Sequence, residues 1–329
     1  MRYFYLGLML FSFALTSKGQ FAPQAGVMGT SAIHKDSNVF VNWATGCTLN
    51  RGWQNISDTT MGKAQVGDET YVPGQAGNGI VSLGDGGVAI ILFEKPIMNG
   101  NGYDFAVFEN GFIDQTLKPG TAFLELAFVE VSSDGTNFFR FDAVCLNDTL
   151  TQLDTYEGTD ATKLNNFAGK YIGNYGTPFD LDELKDQVGL DVMNITHIKV
   201  VDVIGNITAK YCSRDSRGFP VNDPWPTPFA QSGFDLDAVG VIHQNNNVGL
   251  VEVEARQSVY IYPNPAQKNE IIHVVLSTQK HAEVEVYNQL GKLIVKANVS
   301  TPITLDTAGV YYVKTIVDDK IITQKLLVN

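Results

Sequence analysis

Five acidic residues tied to predicted β-strands could supply oxygen ligands to a cation: Asp104, Glu109, Asp202, Asp235 and Asp237. Calcium prefers several hard oxygen ligands, and carboxylates at strand ends can provide them. The sequence therefore predicts a calcium site built from these residues, although no EF-hand spacing is present. The alternative is that the acids accept hydrogen bonds from loop amides or pair with arginines, because an unpaired buried charge is too costly to keep.

Carboxylates in pairs also raise the possibility of a secreted carboxylate-dependent glycan hydrolase, which needs two acids across a cleft. Glu109, Glu125 and Glu130 are available for that chemistry. Glu125 and Glu130 differ in parity along their segment, however, so they point to opposite faces of a strand. No GxSxG, HExxH, Walker or Cys–His signature occurs. We therefore assign no catalytic residue and favour a non-catalytic protein.

Aromatic side chains on loops form the second set of candidate ligand-binding residues. Trp225 lies in the proline-rich segment DPWPTPF with Phe229, Tyr211 precedes that segment, and Trp53 lies in a separate polar loop. Rigid aromatic rings lose little conformational entropy on binding, so they suit stacking on a sugar or another flat ligand. Trp225 could equally plug one end of a β-sandwich. These residues predict a site for a glycan or another small molecule.

Short β-strands must position these groups. The segments GYDFAVFENGF at 102–112 and FLELAFVEVSSDGTNFFRF at 123–141 are typical of three adjacent strands, with a tight turn at Ser133-Asp134-Gly135. The segment 233–243 alternates with period two. One face is predicted to carry Phe234, Leu236, Ala238 and Ile242, and the other face Asp235, Asp237, Val239 and Val241. The central prediction is that segments 104–109 and 234–239 lie side by side and bring their acids together.

Two further elements are predicted from turn and capping residues. Ile80–Leu83 and Val88–Phe93 flank a Gly-Asp-Gly-Gly turn, which predicts a β-hairpin. Leu181–Val188 is predicted to be a helix, with Asp180 as its N-cap, Glu183 completing a capping box and Gly189 ending it.

Charge and address limit the possible partners. The chain has 329 residues and a net charge of −12, and residues 20–255 hold 29 acidic and 13 basic residues. Such an acidic body argues against nucleic acid or an anionic membrane as partner. Residues 1–19 have the pattern of a secretory signal peptide, and no later apolar run predicts a transmembrane segment in the mature chain. Three cysteines, Cys47, Cys145 and Cys212, would allow one disulfide in an exported protein.

The C-terminal tail closely resembles the type IX secretion system C-terminal sorting domain of Bacteroidetes. The matching pieces are Tyr262-Pro263-Asn264-Pro265, Val286-Tyr287-Asn288 with Leu290-Gly291, Gly309-Val310-Tyr311-Tyr312-Val313 and Lys325-Leu326-Leu327-Val328. The resemblance implies that residues 259–329 are recognised by the type IX secretion machinery. It also implies a protein that is secreted or held at the outer-membrane surface.

The body resembles an uncharacterised family of bacterial cell surface proteins through the phrases VSLGDGG, DFAVFENGF, FLELAFVEVSSDG, FFRF, GTPFDL, DPWPTPF and GFDLDAVGVI. More loosely, the order of its acidic strand motifs is similar to that of galactose-binding-like jelly rolls. That second resemblance implies a structural calcium ion and a glycan or surface bound through loops at one end of the sandwich.

The sequence thus predicts an all-β protein: a jelly-roll-like β-sandwich at 20–244, a linker at 245–258 and a small immunoglobulin-like β-sandwich at 259–329. The preferred function is an exported, non-catalytic binding protein for a glycan or another small ligand, stabilised by calcium. The alternatives are the secreted hydrolase, and an adhesin or nutrient-capture accessory protein for a ligand such as cobalamin.

Overall fold

The computed structural model describes residues 21–245, 259–276, 282–317 and 320–329. The predicted signal peptide and nearly all of the predicted linker lie outside these ranges. The chain divides into two compact units, Met1–Asn246 and Asn247–Asn329, which are treated separately below. No helix within the described ranges combines the length and apolar character needed to cross a bilayer. The all-β class predicted from the sequence is confirmed.

The first unit contains fourteen strands in its described part and three short 3-10 segments. The strands are β1 (Ile33–His34), β2 (Asn42–Trp43), β3 (Gly46–Asn50), β4 (Val81–Ser82), β5 (Val88–Ile97), β6 (Phe105–Glu109), β7 (Ala127–Ser132), β8 (Phe139–Arg140), β9 (Val144–Cys145), β10 (Leu164–Asn165), β11 (Phe167–Ala168), β12 (Tyr175–Phe179), β13 (Ile195–Asp202) and β14 (Asp235–Val241). The 3-10 segments are Thr59–Met61, Ala161–Lys163 and Leu181–Leu184.

Two six-stranded antiparallel sheets form the body of this unit. The first sheet has the order β1-β12-β6-β14-β2, with β4 also paired to β14. The second has the order β11-β7-β13-β5-β3, with β8 also paired to β7. Apolar side chains from both sheets share one buried core, including Phe105 and Leu236 from the first and Ile91, Val129 and Ile198 from the second. The body is therefore a sandwich held together mainly by apolar burial between its sheets.

The predicted hairpin at 80–93 is wrong, because its two strands lie in different sheets. β4 pairs with β14 in the first sheet, whereas β5 lies between β13 and β3 in the second. Backbone groups of the turn between them form hydrogen bonds with residues that are distant in sequence. Asp85 exchanges two backbone hydrogen bonds with Trp53, and Gly87 O accepts one from Asp202 N at 2.9 Å. The segment 83–87, called the crossing loop below, thus carries the chain from one sheet to the other.

The predicted row of three adjacent strands at 102–141 is also only partly correct. β7 and β8 do form a hairpin across Ser133-Asp134-Gly135, with Glu130 opposite Arg140. β6 belongs to the opposite sheet, where it pairs with β12 and β14. Local apolar runs identify strands, but they do not specify the sheet that each strand joins.

The predicted helix at 181–188 is shortened to the 3-10 segment Leu181–Leu184. Asp180 is its N-cap, as predicted, and accepts a hydrogen bond from Asp182 N. Glu183 does not complete a capping box, because its carboxylate accepts a hydrogen bond from the side chain of Asn166 instead. Only the two leucines of the segment are buried, and Val188 is 94% exposed, so no apolar face extends the helix.

A β-bulge in β14 overturns the predicted face assignment of that strand. The register against β6 shifts between Leu236 and Ala238. After the shift, Val239 and Val241 join Phe234 and Leu236 in the main core, whereas Ala238 packs in a separate cluster. One extra residue, Asp237, reverses the alternation, which a strict period of two cannot anticipate.

The possibility of a disulfide is not realised in the structure. Cys47, Cys145 and Cys212 are all free thiols. Burial raises the pKa of Cys145 to about 11. A buried thiol of this kind behaves as a small apolar side chain.

The second unit has its own core and two sheets in its described part. Its strands are β15 (Val259–Tyr262), β16 (His273–Leu276), β17 (Glu283–Asn288), β18 (Leu293–Asn298), β19 (Gly309–Val317) and β20 (Lys320–Val328). β15 pairs with β16, and the other four form a sheet in the order β18-β17-β19-β20. Their inward side chains share one apolar cluster, which includes Val259, Val286, Val313 and Leu326.

Candidate functional site

The two remote acidic segments lie side by side, as the sequence predicts, but the strands bring only Glu109 and Asp235 to the same end. β6 and β14 are antiparallel neighbours, with Leu236 opposite Glu109 and Val241 opposite Phe105. The end of β6 therefore meets the start of β14. We call this end of the body the loop end, and it holds Glu109 and Asp235.

Asp104, a predicted metal ligand, lies at the other end of β6. Its carboxylate accepts hydrogen bonds from the backbone N–H groups of Gly100 and Leu181, each at 2.7 Å, and lies 2.8 Å from Nδ1 of His243. Burial raises the pKa of Asp104, and these hydrogen bonds oppose that rise. Asp104 therefore links two loops to the end of a strand, and the length of β6 separates it from Glu109.

Asp202 and Asp237 also act on backbone amides. Asp202 accepts hydrogen bonds from Gly86 N at 2.9 Å and Phe234 N at 2.7 Å, so it joins the crossing loop to the start of β14. Asp237 accepts one from Gly77 N at 2.8 Å. These contacts match the alternative reading of the sequence, in which the acids hold the long loops.

Asp235 and Glu109 occupy the loop end itself. Asp235 accepts hydrogen bonds from Ser82 Oγ, from Asn110 Nδ2 at 3.1 Å and from Gln231 Nε2 at 2.7 Å. Glu109 Oε2 accepts one from the backbone N–H of Gly111 at 2.7 Å. Both side chains are at most 1% exposed.

Five carboxyl groups lie buried near one another around the loop end, and we call them the buried acid cluster: Glu109, Glu125, Asp202, Asp223 and Asp235. Burial raises the pKa of Glu125 well above its usual range, and the charges of Asp235 and Glu109 raise it further. Burial does the same for Glu109, Asp202 and Asp223. The sequence reasoning identified three members but assigned Glu125 only to hydrolysis and did not consider Asp223.

Three oxygens of this cluster have no hydrogen-bond partner among the described residues: Glu109 Oε1, Glu125 Oε1 and Asp223 Oδ1. Within the described ranges, however, no three Asp, Glu, His or Cys side chains are arranged to hold one metal ion. The five predicted calcium ligands therefore do not converge on one point. With exposures of 1%, 5% and 1%, Glu109, Glu125 and Asp235 also do not line a cleft that a polysaccharide could enter.

The two candidate tryptophans both contact one buried residue, Asp85. Trp225 Nε1 donates to Asp85 Oδ2 at 3.3 Å, and Trp53 exchanges two backbone hydrogen bonds with Asp85. The ring of Trp53 is covered by Lys63, whose Nζ lies 3.8 Å from the ring centroid. The polar edge of Trp225 and one face of Trp53 are thus already used within the protein. The third loop aromatic, Tyr211, contacts Lys210, whose Nζ lies 4.6 Å from the centroid of the Tyr211 ring.

Phe229, the fourth predicted ligand-binding residue, belongs to a row of aromatic rings that we call the aromatic row: Phe112, Phe123, Tyr156 and Phe229. Successive ring centroids are 5.1, 6.4 and 6.2 Å apart. The rings of Tyr156 and Phe229 are nearly parallel, at 4°. Tyr156 is 69% exposed and Phe112 is 48% exposed, so the row presents aromatic surface to solvent.

Loops at the loop end hold the aromatic row in place. Phe112 follows β6, Phe123 precedes β7 and Phe229 precedes β14. The loop that carries Tyr156 is tied to the Phe229 loop by a hydrogen bond from Thr155 Oγ1 to Pro226 O at 2.8 Å. The sequence reasoning missed three of the four residues. The signal was an aromatic residue inside the polar, turn-rich stretch LDTYEGTD.

One cavity borders the aromatic row at Tyr156, and a second cavity adjoins the first. One, of about 570 Å³, is lined by Tyr156 together with Lys118, Asp154 and Glu157. The other, of about 400 Å³, shares Lys118 and Glu157 and is otherwise lined by polar groups, among them the buried amide of Asn222. An exposed aromatic face beside convergent polar groups is an arrangement that binds small polar ligands.

Comparison with known families explains the tail. Residues 260–329 match the family described as the secretion system C-terminal sorting domain. This tail makes the protein one that is secreted to the cell surface or beyond it, and it implies interaction with the type IX secretion machinery. No curated protein matches the chain.

Solved structures with similarity to the chain include two bacterial β-glucuronidases. The Ruminococcus gnavus enzyme is 9% identical, with a TM-score of 0.19 over 75% of this chain and 38% of that chain. The Faecalibacterium prausnitzii enzyme is 12% identical, with a TM-score of 0.21 over 87% of this chain and 44% of that chain. This chain therefore spans less than half the length of either enzyme, and similarity at this level carries no argument about function.

Proposed function

We propose that the body is a non-catalytic binding module that holds a neutral glycan at the aromatic row. The observation that carries this proposal is the exposed ring of Tyr156, which lines the 570 Å³ cavity and lies nearly parallel to the partly buried ring of Phe229. The apolar face of a sugar ring packs on an aromatic ring, and its hydroxyls bond to polar side chains and backbone groups around it.

The charges of the two cavities favour a neutral sugar. Their lining includes four acids, Asp148, Asp154, Glu157 and Asp160, and two lysines, Lys118 and Lys163. An acidic rim on an acidic body repels uronic acids and sulfated sugars, because like charges in a partly desolvated site are costly. The sugar hydroxyls can still donate to the carboxylates.

Calorimetric titration of the full chain with a panel of neutral and acidic oligosaccharides tests the proposal. We expect binding of at least one neutral oligosaccharide and a roughly tenfold weaker affinity in Tyr156→Ala, equivalent to about 1.4 kcal/mol. Phe219→Ala is the matched control, since Phe219 is an aromatic residue that is 53% exposed and lies outside the row. Absence of binding throughout the panel, or unchanged affinity in Tyr156→Ala, would contradict the proposal.

Calcium and nutrient capture remain proposals of the same kind. Repeating the titration with EDTA in place of calcium tests whether an ion supports the site. Adding cobalamin to the panel tests the nutrient-capture alternative, which predicts binding of that ligand and of no glycan.

A further inference from the structure

The outer face of the second sheet carries a groove that is separate from the loop end. Its centre is a row of residues that are direct neighbours across four strands: Arg140 opposite Glu130, Glu130 opposite Lys199, and Lys199 opposite Ile90. Val201 lies two residues after Lys199 in β13, and it is opposite Val88, which lies two residues before Ile90 in β5. Side chains two positions apart lie on the same face of a sheet. These residues line one groove of about 380 Å³, which we call the sheet groove.

The charges of the sheet groove do not cancel. Glu130 Oε1 accepts hydrogen bonds from Arg140 Nε at 2.9 Å and Nη2 at 2.7 Å, and Glu130 Oε2 accepts one from Lys199 Nζ at 2.8 Å. Burial raises the pKa of Glu130, but the hydrogen bonds from Lys199 and Arg140 outweigh it and lower the pKa overall. A single carboxylate thus faces two cations, which leaves one positive charge over.

The excess charge is accessible on the arginine. The side chain of Arg140 is 41% exposed, against 23% for Lys199 and 12% for Glu130. Both bonds from Arg140 to Glu130 use Nε and Nη2, and Nη1 donates to no residue in the described part of the chain. One edge of the guanidinium therefore remains available to an anion, and a guanidinium edge fits a carboxylate closely.

Aromatic rings hold the two cations in position. The guanidinium carbon of Arg140 lies 4.2 Å from the centroid of the Phe128 ring, and Nζ of Lys199 lies 3.9 Å from that of Phe138. Such cation–π contacts restrict long side chains that would otherwise lose entropy on binding. The cationic wall of the sheet groove is preorganised.

The floor of the sheet groove is aliphatic. Val88, Ile90 and Val201 line the groove and are only partly buried. They lie on the same sheet face as the charged residues of the groove. No aromatic ring lies among the lining residues, so the groove does not resemble a sugar platform. It offers apolar contact beside a single excess positive charge.

We propose that the sheet groove binds an organic carboxylate with an apolar body, with its carboxylate on Arg140 and its apolar part on Val88, Ile90 and Val201. The positive groove stands out in a body with 29 acidic and 13 basic residues between 20 and 255. Charge complementarity therefore directs an anion to this face. The same chemistry is found in free aliphatic acids and in the C-terminal residue of a peptide.

Calorimetric titration of the full chain with hexanoate and with uncharged hexanamide tests the proposal. We expect saturable binding of hexanoate, at least tenfold weaker binding of hexanamide, and at least tenfold weaker hexanoate binding in Arg140→Gln. Arg214→Gln is the matched control, because Arg214 is an exposed arginine outside the groove. Thermal melting of each variant checks that it is folded.

A second variant and a second pair of probes complete the test. Ile90→Thr keeps the strand and the charges but removes apolar floor, so it should weaken hexanoate binding and leave the weaker binding of acetate unchanged. N-acetyl-leucine and its amide represent a peptide C-terminus, and the tighter of N-acetyl-leucine and hexanoate identifies the source of the carboxylate. Equal affinity for acid and amide, unchanged affinity in Arg140→Gln, or no binding of any acid would overturn the proposal.

Discussion

At the scale of single residues, the buried acid cluster is the feature that costs the folded state the most free energy when it is charged. Its carboxyl groups are desolvated and close to one another, and three of their oxygens find no hydrogen-bond partner in the part of the chain that the structure describes. A charged carboxylate in that position costs free energy unless a proton or a cation neutralises it. The stability of the body therefore depends on what neutralises these groups.

The raised pKa values fix the direction of the pH dependence. A carboxyl whose pKa is higher in the folded than in the unfolded state binds more protons when folded, so its protonation favours folding. Since burial raises the pKa of Glu109, Glu125, Asp202 and Asp223, stability falls as the pH rises from the unfolded values near 4 through the folded ones. We expect a higher melting temperature at pH 5 than at pH 8.

Replacing Glu125 by glutamine should stabilise the protein at pH 8. The change removes a buried charge and keeps the size of the side chain, and we expect a gain of at least about 1.4 kcal/mol, the equivalent of one pKa unit, together with a flatter pH dependence. Chemical unfolding of the full chain at pH 5 and pH 8 measures both. Glu69→Gln, at an exposed glutamate, is the control.

The same experiment separates protons from calcium as the neutralising species. If calcium raises the stability of the unchanged protein at pH 8 and Glu125→Gln removes that effect, a cation occupies the cluster. A loss of stability in Glu125→Gln without calcium would contradict the role of the raised pKa.

The acidic strand ends could be identified from the sequence, but whether each carboxylate faces an amide, a cation or another carboxylate depends on loops that have no periodicity.

At the scale of elements, the crossing loop shows why strand pairing was harder to predict than strand position. Both strands that flank it were identified, yet a Gly-rich turn between two strands fits a hairpin and a crossing equally well. Contacts with Trp53 and Asp202, which are distant in sequence, decide between them. The bulge at Asp237 was also unpredictable from local sequence, because it depends on the register of β14 against β6, a strand distant in sequence.

Gly84→Ala should destabilise the body more than Gly218→Ala. Both glycines have positive φ, +74° and +84°, so alanine is strained at both positions, by about 1–2 kcal/mol. A Cβ at Gly84 would lie 2.9 Å from the backbone of Gly52 and from Ala64 Cβ, whereas nothing lies within 4 Å at Gly218. Overpacking adds roughly 1–3 kcal/mol at Gly84. Denaturant unfolding measures the difference, and equal losses would show that the crossing loop is not closely packed.

At the scale of the whole molecule, the tail determines the destination, and the body carries the two surfaces for which we propose ligands. The export role was predicted from four short motifs with specific spacing, and the family match over 260–329 confirms it. The all-β class followed from alternating apolar runs in both units. The aromatic row and the sheet groove could not be predicted, because each combines residues from several strands or loops that are remote in sequence.

Deletion of residues 260–329 should keep the protein from reaching the outside of the cell. The shortened chain lacks the sorting domain, so we expect it to accumulate in the cell envelope and to be absent from the surface and the medium. Immunoblots of cell fractions measure the distribution. The full chain with Tyr156→Ala serves as control, and surface display of the shortened chain at the level of the full chain would refute this role of the tail.

The place of β14 in the first sheet has a consequence for how the body folds. β14 is the last strand of the body in sequence, yet it lies between β6 and β2 and also pairs with β4. These partners begin more than a hundred residues earlier, so the sheet is completed only after long chain loops close, which makes folding slow. A nascent chain that has not yet reached residue 235 therefore lacks the strand that joins β6 to β2 and β4, and we expect the body to fold only once its whole length is available.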